Sequence, residues 1–377
     1  MQDLYIAIDP GFDTVKVAAN GKVFKFPFAV VETDERKMSD YNLRDTFLCH
    51  KDTTGITNRV GLYAQELIFQ QKDKVGAEEQ MEAFYTENRF TSGAFKIGLQ
   101  TAIALAMQQE NLPSNYDGDI YLMVALPHAI RSRYTPSVIG AAAGEHHFFL
   151  RSGVSPETEY KFHIHEKNIY TVSQTIASVL GETSDDKGNI DRQKFFYLSN
   201  GPTLILDGGY YTMGIVEMSK GGSVDDDKTE SDTLHAMRNV NMAIAEEIHP
   251  QRPDVQHYMI EYLLRQGSGQ IRYMDHGHAA VLDLNKIRKA KIRQVSNDFI
   301  KYLNAKYNNL LDVNYVLMTG GTGACFYPIV SAYYQRAGIM DDKHLLLADS
   351  SLCGQKHSIE FSIVIGAYKG LRGKLNH

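Results

Sequence analysis

The sequence predicts a two-domain α/β protein, and three observations carry that expectation. An apolar run, Leu4–Ile8, ends in the turn Asp9-Pro10-Gly11 and leads into a second strand. The same plan returns at Thr203–Leu206, which ends at Asp207-Gly208-Gly209 and is followed by a strand around Met213–Met218. A length of 377 residues also exceeds what one hydrophobic core usually serves. Two copies of one domain plan account for all three.

The remaining elements follow in chain order. Residues 15–19 and 22–28 read as strands joined by Asn20-Gly21, a strong two-residue hairpin signal. A mostly apolar helix is expected from about Thr91 to Gln109, and an apolar strand over Ile120–Leu126, halted by Pro127. Tyr160–Val172 is largely strand-like and runs into a helical pattern over Gln174–Leu180. Gly181–Arg192, rich in Asp, Lys and Gly, reads as a surface excursion, and Gly221–Thr229, with Asp225-Asp226-Asp227, as a solvated turn. The second half is helical near 232–248, 254–266, 280–310 and 326–337. One strand, Tyr315–Met318, interrupts it and ends at Thr319-Gly320-Gly321-Thr322-Gly323.

Composition narrows the function classes. Hydrophobic residues make up 43% and charged residues 22%, ordinary values for a globular protein, and no apolar run has the length needed to cross a bilayer. The first residues lack the pattern of a signal peptide. Three scattered cysteines, Cys49, Cys325 and Cys353, fit a reducing cytoplasm and argue against a thiolate zinc site. A net charge of −6 gives no general attraction to nucleic acid, so direct binding of DNA is not expected.

Three turns share one chemical design, in which a buried strand delivers a small-residue loop whose backbone N–H groups can surround phosphate oxygens. The first runs Asp9-Pro10-Gly11-Phe12-Asp13-Thr14-Val15-Lys16. A carboxylate at the strand end suits magnesium held through water, and Lys16 supplies a point charge for the β- or γ-phosphate. The second is Asp207-Gly208-Gly209-Tyr210, with Thr212 beyond. The third, Gly320-Gly321-Thr322-Gly323, opens a helix whose N-terminus suits an α-phosphate or adenosine, with Gly321 expected to leave no room for a Cβ. Taken singly, each is an ordinary turn; their conjunction argues for function. A P-loop and a dinucleotide fingerprint are both absent.

These motifs resemble the phosphate-1, phosphate-2 and adenosine motifs of the actin superfamily, with Tyr327-Pro328 following the third, in matching order over essentially the whole chain. Val124-Ala125-Leu126-Pro127, Gly144-Glu145-His146-His147-Phe148 and Thr171-Val172-Ser173-Gln174-Thr175-Ile176-Ala177 are similar to the ParM-type plasmid-segregation actins. Ser173 stands where proline is common, and Phe12-Asp13 and Tyr210-Tyr211 replace smaller residues.

The resemblance implies an actin-like ATPase fold: two similar domains, each a five-stranded mixed sheet flanked by helices, around a nucleotide cleft. Residues 1–170 with 357–377 would form the first domain, reclaiming a C-terminal helix near Ile359–Leu371, and 171–356 the second. It implies ATP or ADP with Mg2+, GTP remaining an open alternative, with Asp9 and Asp207 holding the ion through waters. Gln174 would orient the attacking water; Glu166 is the competing candidate. It further implies a cytoplasmic bacterial protein without a membrane anchor, a head-to-tail filament of its own copies, and an adaptor protein bound to centromere-like plasmid DNA. A small-molecule kinase of the sugar or acetate type shares the fold and is the rival reading.

Among the other clusters, His163-x-His165 and His276-x-His278 lack a third ligand in the sequence nearby, and Lys286, Arg288, Lys289, Lys291 and Arg293 form a basic helical run. Both read as surface features.

Overall fold

Strand Leu4–Pro10, buried over nearly its whole length, is the middle strand of a five-stranded sheet. The computed structural model describes residues 2–33, 47–70, 87–224, 229–265, 267 and 269–376, and the chain forms two units: residues 1–192 with 349–377, and residues 193–348.

In the first unit the central sheet runs Ile169–Ser173, Ile120–Leu126, Leu4–Pro10, Thr14–Ala19, Lys22–Pro27. The middle strand pairs parallel with Ile120–Leu126 and antiparallel with Thr14–Ala19. Asn20 and Gly21, at φ 43° and 90°, make the hairpin the sequence predicts. The C-terminal helix Ser362–Leu375 packs across this sheet and against helix Gln174–Thr183. Their backbones meet at Gly366, where an added Cβ would fall on the Ala177 carbonyl, and the buried Lys369 ammonium donates to the Gly181 carbonyl at 3.0 Å.

That helix pair moves the division between units. The expected boundaries at 170/171 and 356/357 fall instead at 192/193 and 348/349, because Gln174–Thr183 is held by the C-terminal helix. The expected surface excursion is exposed over 185–187 and 189–192, while Thr183 and Ser184 are buried and Gly188 lies against Gly373.

The first unit carries a second sheet that the sequence reading does not anticipate. Its six strands run Val30–Thr33, Thr57–Val60, Leu48–Asp52, Gly144–Ser152, Thr158–Ile164, Asn115–Tyr116. Most are short, and Thr158–Ile164 alternates exposed and buried residues, as a sheet with one wet face requires. A buried polar chain ties this sheet to helix Gly93–Gln109. The His50 Nε2–H donates to Gln100 Oε1 at 2.8 Å, the Gln100 amide donates to His146 Nδ1 at 3.1 Å, and His146 Nε2–H donates to the Ala142 carbonyl at 2.8 Å. That order of donors assigns a neutral tautomer to each ring.

The second unit repeats the central sheet of the first. Its strands run Glu230–Asp232, Met213–Met218, Thr203–Gly208, Tyr315–Thr319, Leu345–Leu347. Here too the middle strand has an antiparallel partner on one side and a parallel one on the other. Helix Met237–Ile248 packs on His257–Arg265 and Leu284–Lys306, which in turn packs on Gly320–Arg336. A hairpin, Gln270–Asp275 with His278–Asp283, stands where the sequence reads helix and loop. The Asp225–Asp227 run lies outside the described residues.

Burial is the first cause holding the proton affinity of both His50 and His146 below the ordinary value of 6.5. The unfolded chain therefore binds protons at a pH where the folded chain does not, so this contribution to stability is present above pH 6.5 and is lost as pH falls below it. Urea midpoints should drop between pH 7.5 and 5.0, and drop less in His50→Leu/Gln100→Leu/His146→Leu, which removes every partner at once. Equal losses in both proteins would contradict this account.

Candidate nucleotide site

Strand register builds the candidate site of the first unit. Asp9 and Lys16 are direct cross-strand partners in the hairpin, so their side chains share a face. The Lys16 ammonium donates to Asp9 Oδ2 at 3.0 Å, and Asp9 is fully buried. Its other oxygen is engaged as well: the Gln174 amide donates to Asp9 Oδ1 at 2.7 Å. Gln174 reaches it because strand Ile169–Ser173 ends at the same edge of the sheet and helix Gln174–Thr183 starts there. In the turn itself, a Cβ on Gly11 would press on the Thr14 carbonyl. The Thr14 hydroxyl donates to Asp13 Oδ2 at 2.8 Å, and the Asp13 carbonyl accepts from Phe28 N.

Two further residues join this group, of which only Arg89 lacks a sequence signal. Ser173, standing where proline is common, lies 2.8 Å from His128 Nδ1 and 2.7 Å from the Thr175 hydroxyl, tying the Leu126-Pro127 loop to the Gln174 helix. Arg89 lies with its guanidinium 3.9 Å from the centroid of the Phe12 ring. Burial pushes its proton affinity down to about 9, while the Asp9 carboxylate acts to raise it.

A separate group of candidate residues lies within the second unit. Asp207 is the parallel partner of Thr319, so the second turn and the third start side by side. The Thr322 hydroxyl donates to the Gly209 carbonyl at 2.6 Å, and Gly209 N donates to the Thr212 carbonyl. Gly208 touches the backbone of Thr322 and Gly323, and Gly320 adopts φ +76° against the Gly208 carbonyl and Asp207. Tight backbone approaches fall at Gly208 and Gly320. Gly321 and Gly323 follow in the first turn of helix Gly320–Arg336. The Tyr210 carbonyl accepts from Arg238 N at 2.7 Å, and Arg238 lies over the Tyr211 ring, anchoring the turn to helix Met237–Ile248.

No protein-family model and no curated protein sequence matches the chain. Solved structures do. A 15-stranded ParM filament from Clostridium botulinum is similar with a TM-score of 0.69 and 17% identity over 100% of both chains. The actin-like protein Alp7A is similar with a TM-score of 0.67 and 15% identity, over 100% of this chain and 97% of that one. An archaeal actin homologue crystallised with ADP gives 0.63 and 12%, over 98% of each. The chain has the actin fold.

Within that actin fold the carboxylate chemistry suits a hydrated magnesium ion. Each Asp9 oxygen accepts one protein donor and keeps lone-pair capacity for a metal-bound water. Oxygen donors that leave the ion its waters are what magnesium prefers. Among the described residues no cluster of three or more His, Cys, Asp or Glu is arranged to hold a bare ion.

The competing candidates separate by position. Glu166 is exposed in the short turn Glu166–Asn168, whereas Gln174 touches Asp9. His163 pairs with Glu145 at 2.8 Å on an exposed strand face, and His276 sits in the hairpin turn. In the basic run, Arg288 pairs with Glu261 and Lys291 with Glu247, while Lys286, Lys289 and Arg293 are exposed. No described helix is long and apolar enough to cross a membrane.

The crowding of the second and third turns yields a test. Gly320→Ala combines left-handed backbone with a clash on backbone, and should cost about 2–4 kcal/mol of stability. Gly323→Ala meets only ordinary contacts and sits in a helix, so it should stay within about 1 kcal/mol of the parent. Equal denaturation midpoints for the two variants would contradict the arrangement.

Proposed function

We propose that the protein is an actin-like ATPase that assembles head-to-tail into filaments on binding magnesium ATP, and that these filaments segregate plasmid DNA through an adaptor on centromere-like DNA. The observation that supports this most is the buried carboxylate Asp9, held at once by Lys16 and Gln174. The actin fold supports it further, as does similarity to a ParM filament. A closed ring needs a symmetric or closing contact, whereas a head-to-tail contact that does not close generates a filament.

On this reading Asp9 and Asp207 would hold the ion through its waters, Lys16 would neutralise phosphate charge, and the glycine turns at 208–209 and 320–323 would present backbone N–H groups. Magnesium, when bound, offsets negative charge on the phosphate oxygens. Gln174 has one amide hydrogen committed to Asp9, which fixes the side chain and leaves its carbonyl oxygen able to accept from a water. A glutamine is too weak a base to remove a proton, so its contribution is orientation. The adaptor, rather than this chain, would carry the positive charge that DNA requires, in keeping with the net charge of −6.

Paired time courses of phosphate release and light scattering test the proposal. Asp9→Ala and Asp207→Ala should each abolish magnesium-dependent release. Gln174→Ala should slow release by roughly 10–1000-fold with ATP affinity little changed, the pattern for losing one positioning group. Its polymers should also persist longer than the parent's. Release by the parent without any rise in scattering, across salt and crowding conditions, would favour a small-molecule kinase and sink the filament reading.

A further inference from the structure

Arg89 stands out among the described residues as a buried charge without hydrogen-bond partners for its guanidinium. It belongs to the short turn Glu87–Thr91 and is 2% exposed. All three guanidinium nitrogens are buried without a hydrogen-bond acceptor among the described residues. Aromatic rings surround it instead: Phe12 at 3.9 Å, Phe90 at 4.6 Å and Phe28 at 5.7 Å from the guanidinium carbon to the ring centroid. These faces attract a cation, yet satisfy none of its five N–H donors. A buried charge left without hydrogen bonds is a standing cost to the fold.

Its placement is rigid and local to the first phosphate turn. The Arg89 carbonyl accepts from both the amide and the hydroxyl of Ser92, at 3.0 and 2.6 Å. Ser92 in turn caps helix Gly93–Gln109 by accepting from Phe95 N. Phe12, the ring in closest contact, is a member of the turn that carries Asp9 and Gly11. The Asp9 carboxylate also acts to raise the Arg89 proton affinity. The large residue at position 12, where smaller ones are usual, and the unsatisfied arginine are therefore one feature: Phe12 holds the guanidinium beside the turn.

We propose that Arg89 is a further nucleotide-binding residue, whose guanidinium donates to the terminal phosphate of a bound nucleoside triphosphate. This rests on the nucleotide reading above. Planar paired donors match phosphate oxygens, and a triphosphate supplies acceptors that Arg89 lacks among the described residues. A diphosphate ends one phosphate earlier and leaves the donors unmet, so Arg89 distinguishes the two nucleotide states.

Calorimetric titration with the magnesium complexes of AMP-PNP and of ADP, below the concentration at which the protein assembles, tests this. Arg89→Met should weaken AMP-PNP binding roughly 10–100-fold, the range for losing hydrogen bonds to a charged group. ADP affinity should change less than about threefold. Without nucleotide, its Tm should equal or exceed the parent's, since an unpaired buried charge has been removed. Arg89→Lys, which keeps the charge but not the planar donor pair, should show part of the same selective loss and guards against misfolding of the Met variant. An unchanged ratio of AMP-PNP to ADP affinity in both variants overturns the assignment of Arg89 alone. A parent that binds neither nucleotide overturns the nucleotide reading and this inference with it.

Discussion

The first unit is organised around the burial of one carboxylate. Asp9 has no exposure to solvent, and a carboxylate removed from water without partners would cost several kcal/mol. Two donors from different elements prevent that: Lys16 from the next strand and Gln174 from the helix that follows the sheet edge. Each depends on a separate geometric condition. Lys16 requires the register that sets it directly across from Asp9, and a one-residue slip would turn it to the opposite face. Gln174 requires strand Ile169–Ser173 to be the edge neighbour of Ile120–Leu126, and its helix to be pinned by Ser362–Leu375. The glycine contact between those two helices is thus tied to the position of a side chain in the site.

The second unit uses the same strand plan for a different purpose. Its central strand also delivers a carboxylate to a small-residue turn, but the cross-strand partner of Asp207 is Gly214, where its counterpart Asp9 faces Lys16. A side chain at that glycine would meet Asp207 at ordinary contact distance, and the neighbouring parallel strand brings Thr319 and the Gly320 turn alongside. Two copies of one topology have therefore diverged at the pair of residues that meets the carboxylate. One copy offers fixed charge; the other offers closely packed backbone.

Much of this was legible in the sequence. The three strand-to-turn junctions were visible because a buried strand needs a continuous apolar run, and because glycine and aspartate mark the turns that follow. Ile120–Leu126 and Met213–Met218 fall where their apolar patterns put them. Gln174 was visible as the first residue after a strand pattern, although its contact with Asp9 spans 165 positions and could not be read locally. The six-stranded sheet as a whole was missed because most of its strands are short; Thr158–Ile164 overlaps the run read as strand-like, whereas half-wet Gly144–Ser152 carries polar residues such as His147 that interrupt the apolar signal. The hairpin Gln270–Asp275 with His278–Asp283 was missed for the same reason: almost all of its residues are exposed or half-buried. The domain boundary was misplaced because it depends on helix packing between residues far apart in the chain. Arg89 had no signal at all; an arginine before a helix looks like any surface charge until its burial is seen.

The central claim, that Asp9 organises a magnesium–nucleotide site, is tested most directly by ATP-binding calorimetry on the parent and on Asp9→Asn, each with Mg2+ and with excess EDTA. The account predicts that the parent binds ATP at least about tenfold more tightly with Mg2+ than without, and that Asp9→Asn loses most of that difference, because the neutral amide no longer attracts the waters of the ion. Parent affinity indifferent to Mg2+, or an Asp9→Asn protein with the full Mg2+ dependence of the parent, would contradict it.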